Sequence, residues 1–356
     1  MLFITVFTLA LASLSNAQTT ESSNNQTSHL WGLKKFTSWC SFGDSYTDDS
    51  RLSYFINNNG SAPPVGWVNP ANYNSASGGR QWPQYVKQYS GLTDLYNYAV
   101  AGAVCSNNLI KRTVQVANGG LILFPDVENY EIPAFIADSQ YTGANGTKFM
   151  AAPQDETVYS MWIGTNDLGS FVGDTQVQGK NLVDYFDCVF AQLQALYDHG
   201  GRYFVIQNIA PLNLAPMYAL PEIGGVGNVT NRTETSYRML EQAVTSNAIY
   251  EYRTAFAARI GDSFQGAHFA VMDMHGLISD MYEHPEQYLN GTAPVNVTSY
   301  AHQCNADRSQ CVTSDSPDSF LWYDELHPSE QAGRTFAKTF IDVVMGTSRW
   351  ATYWSA

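Results

Sequence analysis

Basic residues are scarce in this chain. Its 356 residues include 18 Lys and Arg against 32 Asp and Glu, a net charge of −14. Such a surface repels phosphate backbones and anionic lipid headgroups, which argues against nucleic acid or a membrane as partner and favours a neutral ligand. Charge of either sign is sparse at 14%, while Tyr, Asn, Ser and Thr are plentiful, a balance common in secreted proteins. Cysteines number only five. None form a Cys-X-X-Cys pair, the histidines are scattered, and no paired Cys/His spacing of a zinc site occurs, so no metal or other cofactor is expected. No internal repeat is present, nor any Ser/Thr/Pro-rich linker to a second Cys-rich module. After the first residues, no apolar stretch is long enough to span a bilayer.

The apolar run that does occur, Leu2 to Leu14, ends in Ser15-Asn16-Ala17. Small residues there match what a signal peptidase reads, so residues 1–17 are expected to be a signal peptide, although no Lys or Arg precedes the run. Seven Asn-X-Ser/Thr sites follow, at Asn25, Asn59, Asn145, Asn228, Asn231, Asn290 and Asn296. Together with the leader they point to an extracellular glycoprotein. In that oxidising setting Cys304 and Cys311, which enclose a polar loop, are expected to pair. Cys40 in a strand pattern and Cys188 on an amphipathic helix read as buried small hydrophobes. Cys105 reads either the same way or as a partner for one of them.

Residues 18–35 are a short polar lead, and 36–356 read as one domain in which strand and helix patterns alternate. Strand patterns cover 37–42, 95–100, 157–163, 202–209 and 268–274. Several are continuous apolar runs, as in a parallel sheet covered on both faces. Helical patterns cover 81–88, 183–197, 234–260 and 328–344, with Pro328 placed where a helix start tolerates proline. Long loops are expected at 50–80, 104–125, 210–232 and 285–320. The alternation implies an α/β fold, a three-layer α/β/α sandwich on a central parallel sheet.

Four motifs sit at the ends of strand patterns. Phe42-Gly43-Asp44-Ser45-Tyr46 puts a serine at the carboxyl edge of the sheet, where open α/β folds bind ligands. Asn97-Tyr98-Ala99-Val100-Ala101-Gly102-Ala103 supplies a glycine that lets a backbone N–H approach a ligand. Trp162-Ile163-Gly164-Thr165-Asn166-Asp167 offers an amide N–H₂. Trp322-Tyr323-Asp324-Glu325-Leu326-His327-Pro328 places a carboxylate and an imidazole three residues apart, so the acid can orient the base. A hydroxyl, an oriented base and two kinds of donor make up an acyl-transfer set. Asp44 reads as a hydrogen-bonding partner within its own turn.

On these motifs the chain resembles the SGNH hydrolases, or GDSL esterases/lipases, over nearly its whole mature length. Ser45, Gly102, Asn166 and His327 match the residues that name the family, although Ala-Gly-Ala stands around Gly102 where many relatives have Gly-Gly. The resemblance implies the flavodoxin-like SGNH fold. It also implies Ser45 as nucleophile, His327 as base and then acid, Asp324 as its orienter, and an oxyanion hole from the N–H groups of Ser45 and Gly102 with the Asn166 amide. The acidic, sequon-rich type is most similar to fungal acetylesterases of carbohydrate esterase family sixteen. That implies a monomer acting on small-molecule or oligosaccharide acetyl esters, such as acetylated xylo-oligosaccharides. Tyr46, Trp82, Trp162, Trp322 and Tyr323 are candidate sugar-stacking aromatics, with packing in the core as the alternative for each. The apolar run Gly119 to Pro125 is expected either to pack on the core or to form an acyl wall or lid. Two other functions fit parts of the pattern: a lipase or phospholipase of the same family, and a carbohydrate-binding protein that kept the fold without catalysis.

Overall fold

A computed structural model of the protein describes residues 28–227, 231–305 and 307–356. The leader 1–17, the first part of the polar lead, and the sequons Asn25 and Asn228 lie outside the described residues.

In chain order the main elements are β1 (Ser38–Gly43), α1 (Arg51–Asn57), α2 (Trp82–Ser90), β2 (Asp94–Asn97), α3 (Ile132–Gln140) and β3 (Thr157–Trp162). They continue with α4 (Thr165–Val172), α5 (Leu182–Asp198), β4 (Tyr203–Gln207), α6 (Arg232–Arg259) and β5 (His268–Met272), then α7 (Met274–Glu283), α8 (Glu330–Val344) and β6 (Ala351–Ser355). The six strands form one sheet in the order β6-β5-β4-β3-β1-β2, with β6 antiparallel to β5 and every other pair parallel. Omitting the edge strand β6, this is the 2-1-3-4-5 order of flavodoxin-like folds, whose ligand crevice opens where β1 and β3 part company.

Alternation along β1 shows how the layers form. Trp39 points to one face, where it stacks on Phe340 of α8 at 4.5 Å and meets Trp82 of α2 at 5.1 Å. Its indole N–H donates to Ser160 Oγ on β3 at 2.9 Å. Phe42 points to the other face, against Phe135 of α3. Tyr159, Phe204 and Phe269 continue that second layer across the sheet. All six residues of β1 and of β3 are buried, as the continuous apolar runs predict for a sheet covered on both sides.

The five expected strands and four expected helices are all present, shifted by a few residues at their ends. The pattern 95–100 is assigned as strand only to Asn97, yet Tyr98 N–H still donates to Ser41 O and Val100 N–H to Gly43 O. Helices α1, α3, α4 and α7 and the C-terminal strand β6 were not expected. The loop 50–80 opens with α1. The loop 104–125 contains a hairpin, 113–115 with 121–123, and 285–320 contains strand segments 296–300, 302–304 and 311–313. The described end of the lead packs on the domain, with Trp31 buried against Phe36 and Tyr203.

Cys304 and Cys311 are bonded. Cys188 corrects its sequence reading as a small hydrophobe. It is bonded to Cys105 and ties the loop after β2 to α5, leaving Cys40 buried and free. The two cysteines lie 83 residues apart, so no local pattern reveals the pair.

Candidate active site

The sheet register brings three of the four motifs together. Gly43 at the end of β1 pairs with Trp162 at the end of β3, and Ser41 with Asn97 at the end of β2. The segments carrying Ser45, Gly102 and Asn166 therefore start side by side at one sheet edge. Gly43 is required for the first of them. Its φ is +146°, and a Cβ there would lie 2.2 Å from Trp162 O.

Ser45 is almost wholly buried, and its hydroxyl lies 2.8 Å from His327 Nε2. His327 Nδ1 lies 2.9 Å from both Asp324 carboxylate oxygens. Facing a carboxylate, Nδ1 carries the proton and Nε2 is left to accept from the serine. Asp324 Oδ1 also accepts from the N–H groups of Leu326 and His327. Burial pushes the Asp324 carboxyl up, but the His327 charge and these hydrogen bonds outweigh it and hold the group below its ordinary value. Burial likewise opposes a charged imidazole, yet Asp324, with smaller help from Asp44, raises His327 above its ordinary value. The site thus favours the charged imidazolium, the form a base reaches when it takes a proton.

The backbone around Ser45 and Gly102 has an informative gap. Tyr46 N–H donates to Asp44 Oδ1, Ala101 N–H to Asp48 Oδ2 and Ala103 N–H to Val100 O. Among the described residues, nothing accepts the N–H of Ser45 or of Gly102. Unpaired N–H groups in a packed turn are uncommon, and these two sit where a ligand oxygen can take them. The Asn166 amide spends one hydrogen on Ala103 O at 2.9 Å, and its second is available. Gly102 (φ +84°) is also obligatory, because a Cβ would lie 2.2 Å from the Phe124 ring. The arrangement can deprotonate a hydroxyl and hold an oxyanion.

A sequence profile described as GDSL-like Lipase/Acylhydrolase matches residues 40–340. The chain belongs to this family. It is 39% identical over 325 residues to an acetylesterase of Hypocrea jecorina, covering 88% of this chain and 90% of that one. To an acetylesterase of Thermothelomyces thermophilus it is 26% identical over 315 residues, 86% and 87% of the two chains. Among solved structures it is similar to a catalytic mutant of the acetylxylan esterase Axe2 from Geobacillus stearothermophilus. The TM-score there is 0.43 at 13% identity, covering 86% of this chain and 94% of that one. The family and the relatives make this GDSL protein a carboxylic ester hydrolase.

Several residues of this hydrolase that hold the site were not picked out from the sequence. Tyr46 donates its hydroxyl to Leu326 O at 2.8 Å and sets its ring edge against His327, bridging the serine turn and the histidine loop. Asp48 accepts from the N–H groups of Ser50, Arg51 and Leu52 and of Ala101, so one carboxylate starts α1 and fixes the Gly102 loop. Buried Glu131 accepts the Gly43 N–H. Asp167 accepts from Cys105 N–H, and burial lifts its carboxyl to about 7. Asp44 fits the reading as a turn partner, and burial lifts it to about 6. The one available signal was the density of acids after a strand, Asp44, Asp48 and Asp49.

Four of the five candidate stacking aromatics are core residues. Tyr46, Trp82, Trp162 and Trp322 are buried. Tyr323 stays partly exposed and stacks on His302 at 5.1 Å. The run 119–125 is not core either: Leu121 and Leu123 are exposed on the hairpin, and Phe124 covers Gly102. Next to Asp324 opens a cleft of about 520 Å³, walled in part by Met217, Tyr300, His302, Arg308 and Glu325.

Proposed function

We propose that this GDSL hydrolase is a secreted acetylesterase acting on acetylated carbohydrates such as xylo-oligosaccharides, with Ser45 as nucleophile. The observation that carries the mechanism is the continuous Ser45–His327–Asp324 chain of hydrogen bonds beside two backbone N–H groups that nothing within the described residues accepts. Ser45 Oγ attacks the ester carbonyl as His327 Nε2 takes its proton. The oxyanion is received by Ser45 N–H, Gly102 N–H and the Asn166 amide, each such donor contributing about 3 kcal/mol. His327 then protonates the departing alcohol. Water, deprotonated by the same imidazole, attacks the acyl-enzyme, acetate leaves, and Ser45 recovers its proton.

Two observations support the substrate class. The acetylesterase of Hypocrea jecorina resembles this chain over nearly the whole of both. The cleft beside Asp324 has Tyr300, His302, Asn305, Arg308 and Glu325 in its wall, groups that can hydrogen-bond a hydroxyl-rich leaving group. We further propose that residues 1–17 are removed on secretion, that 36–356 act as a single monomeric domain, and that some sequons carry glycans. Of the described ones, Asn59, Asn145, Asn231 and Asn290 are exposed and Asn296 is half-buried.

The test is a panel of 4-nitrophenyl acetate, butyrate and palmitate, run beside acetylated xylo-oligosaccharides. Acetate turnover well above butyrate, with acetate released from the oligosaccharides, is the expected outcome. Preference for palmitate would convert the reading to a lipase, and sugar affinity without turnover to a binding protein.

A further inference from the structure

Two aromatic rings lie against the segments that carry the proposed oxyanion donors, and neither is needed by the mechanism above. Phe124 follows the hairpin strand 121–123. Its backbone is fixed at both ends, N–H to Arg112 O at 3.0 Å and C=O from Asn107 Nδ2 at 2.9 Å. Its ring fills the space that a Cβ on Gly102 would need. Arg112 braces it from behind. The guanidinium lies 5.0 Å from the Phe124 ring centre, and Nη1 donates to Gly102 O at 2.7 Å. One side chain thus holds both the loop and the ring against it.

Tyr218 lies against the helix that carries Asn166. Its hydroxyl sits 2.6 Å from where a Cβ on Gly169 would lie. Gly169 is three residues after Asn166 on α4, so the two share a helix face. Both rings are only partly exposed.

We infer that Phe124 and Tyr218 are the walls of the acyl pocket and set its length to a two-carbon acyl group. This rests on the esterase reading above. A carbonyl oxygen held by Gly102 and Asn166 would place its acyl substituent near both donors, and the Phe124 ring against Gly102 and the Tyr218 hydroxyl against Gly169 are the aromatic groups that would bound it there. The walls reach the site from the loops 104–125 and 210–232, so acyl length is set by side chains outside the motifs that perform the chemistry. Arg112 is a positioning residue that keeps Phe124 seated.

The experiment is the ratio of kcat/KM for 4-nitrophenyl butyrate over acetate in the wild type and in Phe124→Ala, Phe124→Leu and Tyr218→Ala, each checked for a folded state by its melting transition. One added methylene in a fitted pocket changes discrimination by roughly 10- to 200-fold. Phe124→Ala is expected to raise the ratio at least about tenfold, Phe124→Leu and Tyr218→Ala by less. Arg112→Lys, which keeps the charge but not the planar stack, is expected to raise it in the same direction. An acetate-preferring wild type whose folded Phe124→Ala and Tyr218→Ala variants keep the wild-type ratio overturns this inference alone. A wild type that prefers butyrate overturns the acetyl reading and the inference together.

Discussion

Around Ser45 the backbone is tied down by carboxylates that are themselves buried. Asp44 takes the Tyr46 N–H, Asp48 takes four N–H groups from two segments, and Glu131 takes the Gly43 N–H. Around His327 the ties run outward. Tyr323 N–H donates to His327 O, His302 N–H donates to Tyr323 O, and the His302 and Tyr323 rings stack within 10° of parallel. His302 belongs to a hairpin closed by the Cys304–Cys311 disulfide, whose far strand is exposed. The serine turn is therefore part of the core, whereas the histidine loop is tied to it through Tyr46, held by Met217 N–H on Glu325 O, and braced by a surface hairpin. The two residues with proposed catalytic roles are thus held by different kinds of support.

The comparison can be broken by mutation. Ser45→Ala should cost about 10⁴-fold or more in kcat, and adding His327→Ala should cost little beyond that, because the pair acts as a unit. Additive losses would show that the two halves do not work together. Asn166→Ala should lower kcat by roughly 10²- to 10³-fold, with KM little changed.

Activity and stability should respond oppositely to pH. With His327 as the proposed base, activity would need it neutral; its pKa is raised above 6.5, so kcat/KM should climb roughly tenfold per unit below that raised value and then level off. Stability should run the other way. The folded protein keeps the Asp44 and Asp167 protons to about 6 and about 7, while an unfolded carboxyl releases its proton near 4. Stability therefore falls as pH rises through that window. The stabilisation linked to the raised His327 pKa is complete below 6.5 and is lost as pH climbs through the folded value. Asp324, held low, gives up its contribution only on stronger acidification. Melting temperature should thus drop from about pH 5 to about pH 8 as activity rises. A melting temperature that rises across that range would contradict the buried-carboxylate account.

A smaller effect separates the two kinds of support. Asp48→Ala leaves four N–H groups without their acceptor and should destabilise the fold by about 3 kcal/mol, seen as a lower denaturation midpoint. His302→Ala should leave that midpoint nearly unchanged and reduce kcat only about two- to fivefold, within the usual range for loss of one ring contact. Equal losses of stability from both substitutions would erase the distinction between core and surface support.

Much of this was legible in advance where the signal is local. Gly-Asp-Ser, Gly-Thr-Asn and Asp-X-X-His are short strings, and buried parallel strands announce themselves as apolar runs. Helices α1 and α4 were hidden. At seven residues the one is too short to show a helical period, and the other was absorbed into the Asn166 motif. Strand β6 escaped because five residues at the chain end carry too little pattern. Cys105–Cys188, Tyr46–Leu326 and Glu131–Gly43 join positions 83, 280 and 88 residues apart, beyond the reach of spacing.

The sequence alone determined the α/β class, the motifs that carry the proposed acyl-transfer site and the disulfide at Cys304, since each depends on near neighbours and on periodicity. Only the tertiary structure decided that the Ser45 and Gly102 N–H groups stay unpaired, that four of the five aromatics are core, and that Phe124 and Tyr218 lie against the Gly102 loop and α4. Those outcomes depend on which groups compete for the same space and the same hydrogen bonds once the sheet has closed, and that competition is between residues far apart in the chain.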